Sequence, residues 1–354
     1  MPINPNFLER LLIHRLNRGP APILDLFGAG SFEAVTLALD VGVFETLADG
    51  ALPLGDLAAR LDADEEGLRA LLDFLAAQGY VAADGDRYRN TEMTETWLLE
   101  ASETNMAPWL TFWNDLVFPF WEAHLETAIR EGAPPQTIYE WFDEEPSRWE
   151  TAQRGFRAAA TLILDEVTDA VAVPDGATRL LDVGGGHGLY AIDLCRRHPA
   201  LAATVFDTEA ALAAVADEVA ETAVGERLTL VGGDYWTDDL GHDHDVALVF
   251  NVIHAHDGAK NRELFERVAA SLAPGGRIAV LDQLEGSARM PVGKSGLGFV
   301  GLTYLTTLGA ETHPYDEVEA WLRAAGFEDV TRTAIRSGGP GNTLVQATKP
   351  EAGR

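Results

Sequence analysis

The sequence contains a single cysteine, Cys195, among its 354 residues. One thiol cannot form a disulfide within the chain, and it excludes a zinc site built from several cysteines. A reducing compartment suits such a sequence, so we expect a cytoplasmic protein. Residues 1–20 carry scattered charges and lack the apolar centre of a signal peptide. Because no uninterrupted apolar run reaches about 20 residues, no membrane-spanning segment is expected.

Basic side chains are also scarce, with 26 Lys+Arg against 56 Asp+Glu and a formal net charge of -30. A negative surface repels phosphate backbones, so nucleic acid is not expected as a partner. The lysines are few: Lys260, Lys294 and Lys349. A carboxylate-rich surface with few lysines is typical of proteins kept soluble in concentrated salt, which screens charge repulsion. We interpret this as halophilic adaptation, with an ordinary acidic cytosolic protein as the alternative.

The length exceeds what one hydrophobic core usually supports, so two domains are expected. From residue 23 to about residue 99 the apolar residues recur with helical spacing. Two helices and a hairpin with a tight turn are predicted at residues 52–61, 65–78, 79–82 and 87–90. This order is typical of a winged helix. The second helix offers only Arg69 as a basic residue, so we expect residues 1–100 to pair subunits rather than to bind DNA.

Residues 101–173 form a second helical stretch that is rich in aromatic side chains. Four of them are candidates for the wall of an apolar substrate pocket: Trp113, Phe120, Trp121 and Phe156. Aromatic residues at helical spacing also occur in ordinary cores, and that alternative stays open. We interpret this stretch as a helical linker that lines the pocket.

From residue 174 to the end of the chain, apolar strands alternate with helices. Strands are predicted at residues 178–183, 203–206, 227–231, 246–252, 277–281 and 343–347, and a helix at residues 318–325. The alternation predicts a doubly wound α/β domain over residues 174–354. In such domains ligands bind at the carboxyl ends of the strands.

A glycine-rich turn follows the first of these strands. Its pattern is Asp182-x-Gly184-x-Gly186-x-Gly188. Glycines let the backbone approach a ligand closely, and the helix that follows presents free N–H groups. Dinucleotide dehydrogenases carry a further glycine where this chain has Leu189, so the spacing favours S-adenosylmethionine over a nicotinamide cofactor.

Polar residues also follow the next two strands. Asp207 stands where a carboxylate accepts hydrogen bonds from ribose hydroxyls. Asp234 is placed to accept from an adenine amino group, with Tyr235 or Trp236 packing on the ring. Each aspartate could instead cap a helix or a turn. The predicted cofactor-binding set is Asp182, Gly184, Gly186, Gly188, Asp207, Thr208, Gly233, Asp234, Tyr235 and Asn251.

With these motifs the chain resembles the small-molecule O-methyltransferases typified by the plant caffeate and acetylserotonin enzymes. The matching stretches are LLDVGGGHGLYAIDLCRRHP, TVFDTEAAL, LVGGDYW, NVIHAHDGAKNRELFERVAASLAPGGRIAVLDQL and GAETHPYDEVEAWLRAAGF. The resemblance implies an α/β fold: a Rossmann-like, doubly wound, seven-stranded methyltransferase sheet, preceded by a helical winged-helix dimerisation domain. It also implies S-adenosylmethionine as cofactor, a homodimer, and a small, aromatic hydroxyl acceptor.

The resemblance further implies that His254 is the general base, because it follows the fourth strand at the family's catalytic position. A neutral imidazole can take a phenolic proton near pH 7. Asp282 and Glu311 match the two acidic residues that flank the base. Relatives usually read H-D-W at this place, whereas this chain has His254-Ala255-His256-Asp257.

That departure leaves an alternative mechanism open. His254 and Asp257 are three residues apart and share a helix face, and His313 lies in a loop expected above the same strand ends. Two histidines and one carboxylate can hold Fe(II) with open positions. The set resembles the metal-dependent C-methyltransferases of 2-oxo acids. The main interpretation needs no metal.

Overall fold

The computed structural model describes residues 8, 11–16, 18, 21–286, 291–339 and 341–351. Most of residues 1–20, for which the sequence predicts no signal peptide, therefore lies outside the described residues. The chain divides into two compact units, Met1–Asn114 and Asp115–Arg354.

The first unit is helical apart from a small antiparallel sheet. After a π-helical turn at Leu11–Arg15, its helices are α1 (Pro22–Asp40), α2 (Val43–Thr46), α3 (Leu54–Leu61), α4 (Glu65–Gln78), α5 (Glu92–Trp97) and α6 (Ala107–Phe112). Its strands are β1 (Leu52–Pro53), β2 (Val81–Asp84) and β3 (Arg87–Asn90), in the order β1-β3-β2. The predicted helix pair and hairpin are confirmed, except that residues 52–53, predicted as the start of the first helix, form β1 and pair with β3.

Local signals fix the bounds of α4. The Asp64 carboxylate accepts from the backbone N–H of Glu66 at 3.0 Å and of Gly67 at 2.9 Å, which caps the helix start. Gly79 ends the helix in the left-handed region with φ of 82°. Leu68 and Leu72 recur on one face of α4 and are buried in the core of this unit.

Helix α1 exposes part of an apolar face, and Leu26 is 67% exposed. By length and composition α1 is the one helix, among those that the structure describes, that could cross a membrane. We expected no membrane-spanning segment because no apolar run is both long enough and uninterrupted. Asp25 and Glu33 interrupt the apolar residues of α1. Length and composition decide little on their own, because core helices of other proteins meet the same criterion.

The second unit is an α/β domain. A π-helical turn at Trp113–Val117 leads into its helices α7 (Phe118–Glu131), α8 (Ile138–Asp143), α9 (Pro146–Thr161), α10 (Leu164–Ala170), α11 (Leu189–Arg197), α12 (Glu209–Ala213), α13 (Ala216–Ala220), α14 (Gly258–Ser271), α15 (Pro291–Leu308) and α16 (Tyr315–Ala324). Short 3-10 turns lie at Gly225–Arg227 and Ile253–Ala255.

In the part of the chain that the structure describes, seven strands form its sheet: β4 (Arg179–Val183), β5 (Ala202–Asp207), β6 (Leu228–Gly232), β7 (His244–Phe250), β8 (Leu272–Gln283), β9 (Glu328–Ala334) and β10 (Asn342–Thr348). Their order is β6-β5-β4-β7-β8-β10-β9. Strands β4 to β8 are parallel, and β10 runs antiparallel to both β8 and β9. The chain crosses from one side of β4 to the other between β6 and β7, which makes the end of β4 a topological switch point. The predicted doubly wound, seven-stranded sheet is confirmed.

Each face of this sheet has its own core, because neighbouring residues of a strand point to opposite sides. Leu180 of β4 packs in a cluster with Ile192 of α11. Leu181, the next residue, packs in another cluster with Phe265 of α14. Helices therefore cover both faces, and the open edge at the carboxyl ends of the parallel strands remains for ligands.

Residues 328–334 form β9, a strand that the sequence pattern did not predict. Among the strands that the structure describes, it pairs with β10 alone, and six of its seven residues are exposed. An edge strand of this kind lacks the continuous apolar run of a central parallel strand.

Candidate active site

The glycine turn lies between β4 and α11. Gly184, Gly186 and Gly188 have φ of 67°, 46° and 64°, a region that L side chains rarely adopt. A Cβ atom on Gly184 would lie 2.6 Å from Val252 Cγ2, and one on Gly186 would lie 2.8 Å from Gln153 Oε1. Side chains at Gly184 and Gly186 would thus both strain the backbone and collide with these neighbours.

Asp182, the last residue but one of β4, is 1% exposed. Neither of its carboxylate oxygens has a hydrogen-bond partner among the residues that the structure describes. Burial, and then the charge of Asp207, raise the pKa of the Asp182 carboxyl to about 7. A buried, unpaired carboxylate is costly unless a ligand compensates it. The ammonium and sulfonium charges of S-adenosylmethionine fit this requirement.

Asp207 ends β5 beside the glycine turn. Its Oδ2 accepts from the Gly186 N–H at 2.8 Å and its Oδ1 from the Thr208 N–H at 2.7 Å. Burial raises the pKa of this carboxyl to about 6, against the lowering effect of the two hydrogen bonds. Thr208 also caps α12, since its hydroxyl accepts from the Ala211 N–H at 3.3 Å.

The end of β6 adjoins Asp207, whose carbonyl accepts from the Gly233 N–H at 2.9 Å. Asp234 is exposed, and its carboxylate accepts from the Trp236 N–H at 2.9 Å and the Thr237 hydroxyl at 3.3 Å. This is the turn-capping role that the sequence left open. The adenine contact of Asp234 stays a prediction.

Tyr235 contacts His256, and the two rings meet edge-on with centroids 5.9 Å apart. Its hydroxyl lies 2.7 Å from His256 Nε2. Burial, and then the neighbouring His254, lower the pKa of His256 to about 4, so this imidazole is neutral near pH 7. Trp236 meets the His256 ring edge-on, with centroids 4.9 Å apart.

His254 and Asp282 form a buried pair at the ends of adjacent parallel strands. His254 lies in the 3-10 turn after β7 and is 6% exposed. Its Nδ1 is 3.0 Å from each carboxylate oxygen of Asp282, and its backbone N–H donates to Asp282 Oδ2 at 3.2 Å. With Nδ1–H donating to the carboxylate, the lone pair of Nε2 is available for a proton. No described residue hydrogen-bonds to Nε2.

Asn251 precedes this turn and adopts a left-handed conformation with φ of 54°. Its backbone N–H donates to the Leu281 carbonyl at 2.7 Å, which joins the ends of β7 and β8. Its Oδ1 accepts from Gln283 Nε2 at 3.2 Å. The predicted site residue Asn251 is thereby placed beside the His254–Asp282 pair.

Glu311 lies apart from that pair. It is exposed in the loop between α15 and α16. In the described part of the chain it forms no hydrogen bond or ion pair with His254. Of the two acidic neighbours that the resemblance implied, the structure brings Asp282 to the imidazole and leaves Glu311 at the surface.

The alternative metal set does not come together. The Asp257 carboxylate caps α14 by accepting from the N–H groups of Ala259 and Lys260 at 2.9 and 2.8 Å. His313 Nε2 lies 2.8 Å from the His256 carbonyl and 3.1 Å from that of Ile253, so it acts as a donor. Over the ranges described, no group of three His, Cys, Asp or Glu side chains is placed to hold a metal ion. The alternative is therefore not supported.

The four aromatic pocket candidates take different positions. Phe120 is 1% exposed and packs against Trp141 with centroids 5.7 Å apart, as a core residue does. Trp121 contacts Phe299 of α15, with centroids 5.6 Å apart. Phe156 is half-buried on α9. Trp113 belongs to the first unit, where its ring meets that of Trp109 edge-on.

Sequence reasoning missed Tyr139 and Gln153, on α8 and α9. Burial, and then the charges of Asp207 and Asp282, raise the pKa of Tyr139. Its ring stacks parallel to that of Trp149 at 5.9 Å. Neither residue follows a strand, so the strand-end rule gave no signal for them.

The fold and the site together define a class: a Rossmann-like methyltransferase that uses S-adenosylmethionine. The solved structure of human N-acetylserotonin methyltransferase in complex with SAM has this fold, with a TM-score of 0.81 and 22% identity. The match covers 99% of this chain and 100% of that one.

Within this class, residues 121–328 match the O-methyltransferase domain and residues 26–100 the O-methyltransferase dimerisation domain. The tetracenomycin polyketide synthesis 8-O-methyl transferase of Streptomyces glaucescens is 32% identical over 347 residues, covering 95% of this chain and 99% of that protein. The 3-hydroxy-5-methyl-1-naphthoate 3-O-methyltransferase of Streptomyces sahachiroi is 28% identical, covering 93% and 95%. The chain belongs to the O-methyltransferase family and is an S-adenosylmethionine-dependent enzyme.

Proposed function

We propose that the enzyme methylates a hydroxyl group of a small aromatic acceptor, with His254 as the general base. The observation that carries this is the buried His254–Asp282 pair, whose geometry leaves Nε2 to receive a proton. S-adenosylmethionine supplies a methyl group already activated by the sulfonium charge. His254 Nε2 would take the proton of the acceptor hydroxyl as its oxygen is methylated.

The chain's own contribution is mainly alignment, because holding the reactants in line removes much of the entropic barrier. Asp282 fixes the tautomer of His254 and stabilises the imidazolium that forms. Asp207 would accept from the ribose hydroxyls, and the glycine turn would pass beside the methionine part of the cofactor. The cofactor-binding set would be completed by Thr208, Gly233, Asp234, Tyr235 and Asn251.

For the acceptor, support comes from two relatives whose names specify an aromatic polyketide and a naphthoate. Aromatic side chains of the second unit, Trp121 and Phe156, suit an apolar ring of that kind. Trp113 remains a proposed pocket residue, and residues 101–173 remain proposed as the lining segment. Phe120 would contribute as a core residue of the second unit.

We further propose that the N-terminal domain is a winged helix that builds a homodimer, as its match to a dimerisation domain supports. The apolar residues exposed on α1 would be covered by the second subunit. A cytoplasmic location, adaptation to high salt, and the absence of nucleic acid and membrane partners complete the proposal. These rest on the net charge of -30, the cysteine usage and the lack of an uninterrupted apolar run of about 20 residues.

The test compares His254→Ala with His242→Ala, a matched change in an exposed loop. Turnover is measured by mass spectrometry with a panel of hydroxylated naphthalenes and naphthoates at about 2 M KCl, which screens the acidic surface. His254→Ala should lose about 100-fold or more in kcat while its affinity for S-adenosylhomocysteine stays unchanged. Equal loss of affinity and turnover, or methylation at carbon, would contradict the proposal.

A further inference from the structure

Tyr304, on α15, covers one face of the His254 imidazole. The two ring centroids are 4.0 Å apart and the ring planes differ by 3°, so the stacking is face to face. None of the sequence motifs pointed to Tyr304, because it lies in the middle of a helix far along the chain from His254.

The Tyr304 ring is itself held in place by a polar network. Its hydroxyl donates to Gln283 Oε1. The Gln283 amide in turn donates to Asn342 Oδ1 at 2.8 Å and to Asn251 Oδ1 at 3.2 Å. Gln283 and Asn342 belong to β8 and β10. The phenol is thus tied to the sheet that carries Asp282.

We propose that Tyr304 is a positioning residue that fixes the plane of the His254 ring and hence the direction of the Nε2 lone pair. This inference rests on the proposed role of His254 as base. Asp282 contacts the imidazole at Nδ1. This contact alone leaves the ring able to tilt about its Nδ1 edge. A flat ring packed on one face resists this motion.

The contacts give Tyr304 no place in proton transfer. Its hydroxyl points to the Gln283 carbonyl oxygen, and burial, with a further contribution from Asp282, raises its pKa. The effect of Tyr304 therefore passes through the imidazole. A misplacement of about 1 Å can cost about 100-fold in rate, which is the scale on which such a residue acts.

Three substitutions separate the ring from the hydroxyl. Tyr304→Phe keeps the stacked ring, whereas Tyr304→Leu removes it and Tyr304→Met removes it with closer retention of length. We expect both ring-deleting variants to lower kcat by about 10- to 100-fold. Tyr304→Phe should stay within about threefold of the unsubstituted enzyme. The dissociation constant for S-adenosylhomocysteine should not change, which also reports that the variants are folded.

The decisive control is the double variant His254→Ala/Tyr304→Leu. If Tyr304 acts through the imidazole, removing its ring costs nothing further once His254 is absent. If Tyr304→Leu lowers kcat by the same factor in the His254→Ala background, Tyr304 contacts the acceptor instead. Full activity of both Tyr304→Leu and Tyr304→Met would also overturn the inference.

A spectroscopic readout separates this inference from the proposed function. The Cε1–H resonance of His254, assigned by its loss in His254→Ala, should be shifted upfield by the stacked ring. It should move downfield in Tyr304→Leu and stay in Tyr304→Phe. If His254→Ala keeps full turnover, the base assignment fails. If His254→Ala is inactive but neither the resonance nor kcat responds to loss of the Tyr304 ring, only the positioning role fails.

Discussion

Nδ1 of His254 lies 3.0 Å from both carboxylate oxygens of Asp282, and the two side chains are 8% and 1% exposed. The contact follows from the sheet register, because β7 and β8 are parallel neighbours with Phe250 opposite Leu281. The residues that come after this pair of positions therefore emerge at the same sheet edge. An imidazole held in this way keeps its proton on Nδ1 and presents Nε2 as the base.

Substituting Asp282→Asn should lower kcat by about 100-fold or more. An asparagine that donates its amide N–H to Nδ1 would leave the imidazole proton on Nε2, which then cannot accept one from the substrate. Affinity for S-adenosylhomocysteine should change little. Steady-state kinetics measures kcat, and calorimetric titration of S-adenosylhomocysteine measures the affinity.

The matched control is Glu311→Gln, which removes the other acidic residue implied by the family resemblance. Because Glu311 is exposed and forms no bond to His254, its kcat should stay within about twofold. A large loss on Glu311→Gln, or none on Asp282→Asn, would contradict this division of roles.

Cofactor affinity should depend on pH through the two buried carboxyls. Burial raises the pKa of Asp207 to about 6 and that of Asp182 to about 7. As the pH falls through these values both groups become neutral, lose their attraction for the ligand ammonium, and accept hydrogen bonds less well. The dissociation constant for S-adenosylhomocysteine, measured by calorimetry, should therefore increase as the pH is lowered from about 8 to about 5.

Asp207→Asn should bind weakly throughout and show a flatter profile. Asp175→Asn, in an exposed turn before β4, is the comparison and should follow the unsubstituted protein. An unchanged affinity over the whole range would rule out both carboxyls as ligand-binding groups in their charged form.

Much of the fold could be predicted because its signals are local. The apolar run of β4 followed by glycines, and the Asp64 cap before α4, each act over a few residues. Strand β9 could not be predicted in that way, since its place depends on β10 and its residues face solvent. Parallel strands also end at one edge, which is why Asp207 could be predicted from chain order. His254 was predicted from the family resemblance and follows a strand that ends at the same edge.

The rest of the site depends on packing between distant segments. Gln153 approaches the glycine turn from a helix that precedes it in the chain, and Tyr304 reaches His254 from a helix that follows it. Helical periodicity gives the face of a residue but not the neighbour it meets. For the same reason the sequence could not distinguish Phe120, a core residue, from a pocket residue.

Replacing Asp182→Asn should stabilise the cofactor-free protein at high pH. The pKa of this carboxyl is raised to about 7 by burial, so the folded state holds a proton that the unfolded chain releases. Stability is therefore lost as the pH rises through that value. The gain in melting temperature on substitution should be larger at about pH 8.5 than at about pH 5.5.

The same measurement with saturating S-adenosylhomocysteine provides the control for this prediction. The ligand should raise the melting temperature of the unsubstituted protein more than that of Asp182→Asn, because the substitution removes a binding group. A stabilisation that does not vary with pH would mean that Asp182 is already paired in the cofactor-free protein.

The apolar face of α1 should determine assembly. Leu26 is 67% exposed in the isolated chain, and covering apolar surface contributes about 25 cal/mol per Å². Leu26→Glu places a further negative charge on this face and should shift the protein from dimer to monomer in sedimentation velocity runs. Ile129→Glu, at a 59% exposed position of α7, adds the same charge and should remain dimeric. A dimer unaffected by Leu26→Glu would place the subunit contact elsewhere.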